Sequence, residues 1–179
     1  MPTIFELVDA DNADAIRELL ARQPAAAAAR DEQGLSPLFR AAYGSRTAAF
    51  DAIRAAVPQT DPWERILVGE CEGLPAPDAW SVDGFTPLHL AAFAPNAAAA
   101  RTLLDAGADP DVVARASFAR VTPLATAAFA GATEVARVLL DHGADPSLSE
   151  QAGGTPLDVA RANGNAELVA LLESARTER

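Results

Sequence analysis

Short apolar runs with helical spacing recur along this chain, each separated from the next by turn-forming residues. In Pro87-Leu88-His89-Leu90-Ala91-Ala92-Phe93, the positions Leu88, Ala91 and Ala92 fall on one helical face. The alanines are small enough for a second helix to approach closely. Thr86 followed by Pro87 is a helix start, because the hydroxyl can accept from a free N–H of the first turn and proline sits where its missing N–H is not needed. A second run, Arg101-Thr102-Leu103-Leu104, leads to Gly107, which can take the left-handed conformation that closes a helix. Asp109-Pro110 then turns the chain outward. The predicted unit is a turn followed by two short antiparallel helices.

The unit recurs at Thr122-Pro123-Leu124, leading to Val138-Leu139-Leu140 and Gly143-Ala144-Asp145-Pro146, and at Thr155-Pro156-Leu157, leading to Leu168-Val169-Ala170-Leu171-Leu172. Ser36-Pro37-Leu38 opens a weaker copy. The prolines at 37, 87, 123 and 156 are 50, 36 and 33 residues apart. A period near 33 marks a stacked repeat. Near the N-terminus, Ile4, Leu7-Val8 and Leu19-Leu20 fill the same helical slots without a Thr-Pro start. Glu6, Asp9, Asp11, Asp14, Arg17 and Glu18 would solvate the open side of that end unit. The alanine run 25–29 lies in a connection, and the sequence does not decide its conformation. The organisation read from this pattern is one domain over 1–179: a capping unit at 2–32, a repeat at 33–56, an insertion at 57–82, repeats at 83–117 and 118–150, and a C-terminal capping repeat at 151–179.

The long first spacing locates the insertion. Asp61-Pro62-Trp63-Glu64 combines a cap, a first-turn proline and an acid three places after the cap, which predicts a short helix at about 62–69. Pro75 and Pro77 keep the following stretch extended. Both tryptophans, Trp63 and Trp80, lie in the insertion, where they are expected to cover the edge of the flanking repeats.

These motifs resemble the ankyrin repeat, whose pattern runs Asp-x-x-Gly-x-Thr-Pro-Leu-His-x-Ala-Ala, then a Leu-Leu pair, then Gly-Ala-Asp. Residues 83–109 match it almost slot for slot, and the resemblance covers nearly the whole chain apart from the insertion. It implies an all-α solenoid of helix-turn-helix units. Physical reasoning agrees, since helices this short are below the roughly 12–15 residues at which isolated helices become marginal in water, so each must lean on a neighbour. The resemblance also implies that His89 links neighbouring turns through its imidazole. It further implies that turn tips and first-helix ends line a concave, protein-binding groove. Slot by slot, that groove would hold Leu35 and Tyr43, then Phe85 and Phe93, then Phe118, Val121 and Phe129, and finally Asn163. Tyr43, Phe93 and Phe129 share one register, so they either form an exposed aromatic stripe or fold inward as core.

Composition narrows the partners. The chain carries 14 basic and 25 acidic residues, a net charge of −11, and no lysine. Phosphate backbones and anionic lipids are repelled by such a surface, so neither nucleic acid nor a membrane is expected as a partner, whereas a protein with a basic patch is. No apolar run approaches the roughly 18 residues of a membrane span. The N-terminus lacks the regions of a signal peptide, and the lone Cys71 permits no internal disulfide. A cytoplasmic monomer is expected, and the Ala, Arg, Gly and Pro usage suggests a bacterial source.

Candidate chemistry is sparse. Only His89 and His142 are present as imidazoles, no repeated ligand set exists, and no metal or cofactor is expected. Cys71 sits between Glu70 and Glu72, which disfavour the thiolate and mark it as inert. Neither a phosphate-binding loop nor a nucleophile elbow occurs. The reading is a non-catalytic protein–protein interaction module using groove, tips and the 57–82 insertion. The alternatives are an enzyme or small-molecule binder with a site at Trp63, Cys71 and Trp80, or a self-assembling array.

Overall fold

The computed structural model describes residues 2–56, 58, 61–116, 119–148 and 154–177. Helices occur in pairs: α1 (Ile4–Asp9) with α2 (Ala13–Arg22), α3 (Pro37–Tyr43) with α4 (Thr47–Ala56), and, after the lone α5 (Pro62–Leu67), α6 (Pro87–Phe93) with α7 (Ala97–Asp105), α8 (Pro123–Ala130) with α9 (Thr133–Asp141), and α10 (Pro156–Ala162) with α11 (Ala166–Thr177). Among the described residues no β-strand is present. The chain divides into two compact units, residues 1–64 and 65–179, with the boundary inside α5.

Each pair starts on a side-chain cap. Thr155 Oγ1 accepts from Asp158 N at 3.3 Å while Asp158 Oδ2 accepts from Thr155 N at 2.8 Å. Thr122 Oγ1 accepts from Ala125 N at 3.2 Å. In the N-terminal unit Thr3, with no proline after it, forms the same reciprocal cap with Glu6. The two helices of a pair are joined by a tight reversal that needs one left-handed residue. Gly131 and Gly164 hold it at φ 69°, while Asp11 and Ser45 hold it at 49° and 54°. The alanine run forms a single 3-10 turn over Pro24–Ala28, because Pro24 closes α2 and the turn ends at Ala29.

Within residues 1–64, α1 packs on α3 and α2 on α4, burying Ile4, Val8, Ile16, Leu20, Leu38 and Ile53. Within residues 65–179, the first helices α6, α8 and α10 form one row and the second helices α7, α9 and α11 another. Leu88, Leu103, Leu124, Leu139, Leu157, Leu168 and Leu172 fill the space between the rows. Ala91, Ala92, Ala127, Ala128 and Ala160 are fully buried, which lets the backbones approach. Leu140, the other half of the leucine pair in α9, is only half-buried.

The insertion's helix is shorter than the predicted 62–69. Asp61 Oδ1 accepts from Trp63 N at 2.8 Å and opens it, as expected. It closes early because Gly69 adopts φ 93° and its N–H returns to Ile66 O at 3.2 Å. No helix follows before α6, consistent with the prolines at 75 and 77. Trp80 is half-buried beneath the Arg115 guanidinium, which lies 3.8 Å from its ring centroid.

Candidate functional site

The tips are built before the groove. In the first repeat, Asp31 N donates to Leu35 O at 3.0 Å and Asp31 Oδ1 accepts from Leu35 N at 2.9 Å, closing a turn that holds Leu35 half-buried at its end. In the next repeat, Ser81 takes the place of the aspartate: its N–H donates to Phe85 O at 2.8 Å and its Oγ accepts from Phe85 N at 3.0 Å. Gly84 in that turn has φ 87°, and a Cβ there would lie 2.7 Å from Ala116 N, so the next tip packs directly on it. Arg115 N donates to Gly84 O at 2.8 Å across the same contact.

His89 fixes Val121. The buried imidazole points its Nε2 at Val121 O, 2.8 Å away, and its Nδ1 at Thr86 Oγ1, also 2.8 Å. A carbonyl can only accept, so Nε2 carries the proton and Nδ1 receives the Thr86 hydroxyl. Burial, opposed by the Val121 bond, pushes its pKa down to about 4. The ring of Phe85 meets His89 edge-on, with centroids 5.8 Å apart. Phe85, His89 and Val121 thus form one cluster, in which the histidine links turns as the family resemblance implies.

The first-helix ends behave differently from one another. Tyr43 is half-buried and packs edge-on against Phe39 at 5.8 Å. Phe93 is half-buried at the end of α6. Phe129, at the same register on α8, is 69% exposed. Its backbone is anchored: Asn163 Nδ2 donates to Phe129 O at 3.2 Å and to Ala128 O at 3.4 Å. The candidate residues Phe129 and Asn163 are therefore brought together. Phe118 lies outside the described residues.

Charge in residues 1–64 collects around Arg40. It meets Asp9 in a fork, Nε and Nη2 each 2.8 Å from a carboxylate oxygen, and reaches Asp31 at 3.0 Å. The Arg40 bonds hold the Asp9 carboxyl below its ordinary range.

Asn96 is a structural residue that the sequence signalled only in part. Its Oδ1 caps α7 by accepting from Ala99 N at 3.0 Å, as an asparagine before a helix suggests. Its Nδ2 also donates to Ile66 O at 3.1 Å and Glu70 O at 2.8 Å, pinning the insertion to the second helix of the repeat. Asp111 makes a comparable bridge, its Oδ1 accepting from Asp145 N at 2.8 Å one repeat later.

Paired short helices, left-handed reversals and turn-to-turn bridges together define a helical-hairpin repeat protein. A family model for ankyrin repeats in three copies matches residues 4–114, and one for ankyrin repeats in many copies matches residues 115–160. The chain belongs to the ankyrin-repeat family, whose repeats are in general protein–protein interaction modules. Comparison with curated proteins returned no match. Among the described residues, no helix is long and apolar enough to cross a membrane.

Proposed function

We propose that this chain is a non-catalytic binding module that holds a partner protein against its first-helix ends and turn tips. The observation that supports this most is Phe129, a large ring 69% exposed yet set on a backbone that Asn163 secures. A rigidly presented aromatic gives contact area at small entropic cost, which is how interface anchors act. Phe93, Phe85 and Val121 extend the contact within residues 65–179, and Leu35 and Tyr43 occupy the equivalent slots of residues 1–64. The 57–82 insertion adds to partner selection. With a net charge of −11, the chain favours a partner carrying a basic patch, chiefly through association rate and specificity. The same reading has it act as a monomer in the cytoplasm, where a single reduced cysteine is at home.

The test is affinity capture from the source cell with the wild-type chain and with Phe93→Ala/Phe129→Ala, each checked for helicity. Phe129→Ala removes an exposed ring, so the fold survives and loss of a partner reports on the surface. A partner retained at wild-type recovery by the double variant would overturn the groove assignment.

A further inference from the structure

A guanidinium without an acid stands where two neighbouring tips of residues 65–179 meet. Arg115 is exposed, and among the described residues it forms no ion pair. It lies instead over half-buried Trp80, 3.8 Å from the ring centroid. A guanidinium that stacks by its face keeps its N–H donors available in its own plane, as a fork. The backbone fixes the root of this side chain. Arg115 N donates to Gly84 O at 2.8 Å, and a Cβ on Gly84 would lie 2.7 Å from Ala116 N, so the two tips touch directly.

The surroundings match a ligand that is part acid and part apolar. Burial alternates along 113–116: Ala114 and Ala116 are buried, while Val113 and Arg115 share the outward face. Val113 is 42% exposed, and Val82, in the neighbouring turn, is 75% exposed. With Phe129 these are the exposed large apolar side chains among the described residues, so two of the three belong to this pair of tips. Ala114 N donates to Val121 O at 2.9 Å, which puts Arg115 and Arg120 next to that bond, one on each arm of the turn. Arg120 is exposed and likewise forms no ion pair among the described residues. Like charges so placed repel and weaken the turn. Acids close by in the chain are engaged elsewhere: Asp83 accepts from Ser81 Oγ in its own turn, and Asp111 Oδ1 accepts from Asp145 N at 2.8 Å.

We propose that this pair of tips holds a carboxylate side chain of a partner protein, an Asp or Glu beside an aliphatic residue. The Arg115 fork takes the carboxylate, and Val82 and Val113 meet the apolar neighbour. This contact rests on the partner-binding reading, which turns the tips toward a partner, and names what these two receive there. Charge complementarity selects the acid, since two arginines without ion pairs offer a carboxylate charge-assisted bonds. The net charge of −11 repels a phosphate backbone far more than it repels one carboxylate.

Short random peptides displayed on phage are the probe. They are depleted on full-length Arg115→Gln, checked for wild-type helicity, and then selected on the wild-type chain, so that sequences bound elsewhere on the surface drop out. Enriched sequences should carry Asp or Glu beside Val, Leu or Ile. A synthetic peptide of that sequence should shift tryptophan emission of the wild-type chain through Trp80, and should leave the emission of Arg115→Gln unchanged. Replacing the peptide's acid by the matching amide should weaken binding about tenfold or more. Arg115→Lys should recover little affinity, because an ammonium offers no planar fork. Phe129→Ala should bind the peptide as wild type does, so this contact and the groove assignment can fail separately. No enriched sequence, an enriched peptide indifferent to its acid, or full recovery in Arg115→Lys would overturn the carboxylate assignment and leave the groove to its capture test.

Discussion

The Nε2 of His89 lies 2.8 Å from the carbonyl oxygen of Val121, so the third residue of α6 holds the turn that opens the next hairpin. Burial disfavours the charged ring, and a proton on Nδ1 would block its acceptance from the Thr86 hydroxyl. As pH falls from the ordinary 6.5 to about 4, the unfolded chain binds a proton that the folded chain refuses. Stability should decline through that window, by on the order of 3 kcal/mol, and level off below it. Urea midpoints at several pH values check this against His89→Gln, in which the decline over that window should be absent.

His142 should titrate with the opposite sign. Its Nδ1 lies 2.8 Å from Val138 O and its Nε2 3.2 Å from Asp105 Oδ1, and both are acceptors, so only the doubly protonated ring satisfies both. The Val138 carbonyl first, then Asp105, lift its pKa above the ordinary value, against smaller opposing effects of burial and then Arg101. Its contribution is present at low pH and is lost as pH rises through the folded-state value. A proton NMR titration of the imidazole should show a raised midpoint that drops in Asp105→Asn.

Leu139 is fully buried between the two helix rows. Leu139→Ala should cost about 2–5 kcal/mol, read as a lowered urea midpoint. A midpoint within error of wild type would remove it from the core.

Asn96→Ala removes a helix cap and strips the carbonyls of Ile66 and Glu70 of a buried donor. A loss of about 1–3 kcal/mol is expected from the unmet bonds. Amide exchange at Ala99 should accelerate more than exchange in α9.

Ser45 is exposed and sits at φ 54° where two other hairpins use glycine. Ser45→Gly should relieve the left-handed strain and raise stability by about 0.5–1 kcal/mol, the steric gain being partly offset by glycine's extra freedom when unfolded. Thermal unfolding at matched pH decides it.

The sequence exposed the parts of the fold that local chemistry dictates. Thr122-Pro123 and Thr155-Pro156 each specify a helix start within one turn, and both form the caps expected. Gly107 and Gly143 close their helices at φ 94° and 89° for the reason anticipated. Where partners are distant in the chain, the pattern was silent. Glu64, three places after Asp61, reads as a solvated acid serving α5, yet it is only 8% exposed. Tyr43 and Phe129 share a register, but their fates diverge because Phe39 offers Tyr43 a ring to pack on, whereas Ala125 occupies the matching place before Phe129. Single-letter pattern carries the repeat but not the company each side chain keeps.

The Asn96 amide makes the irregular stretch before α6 a keystone of its own half of the molecule. Trimming 57–82 to restore even spacing would not yield a tidier array, since it would strand that amide without the carbonyls of Ile66 and Glu70. Evenness, for this chain, would come at the expense of closure.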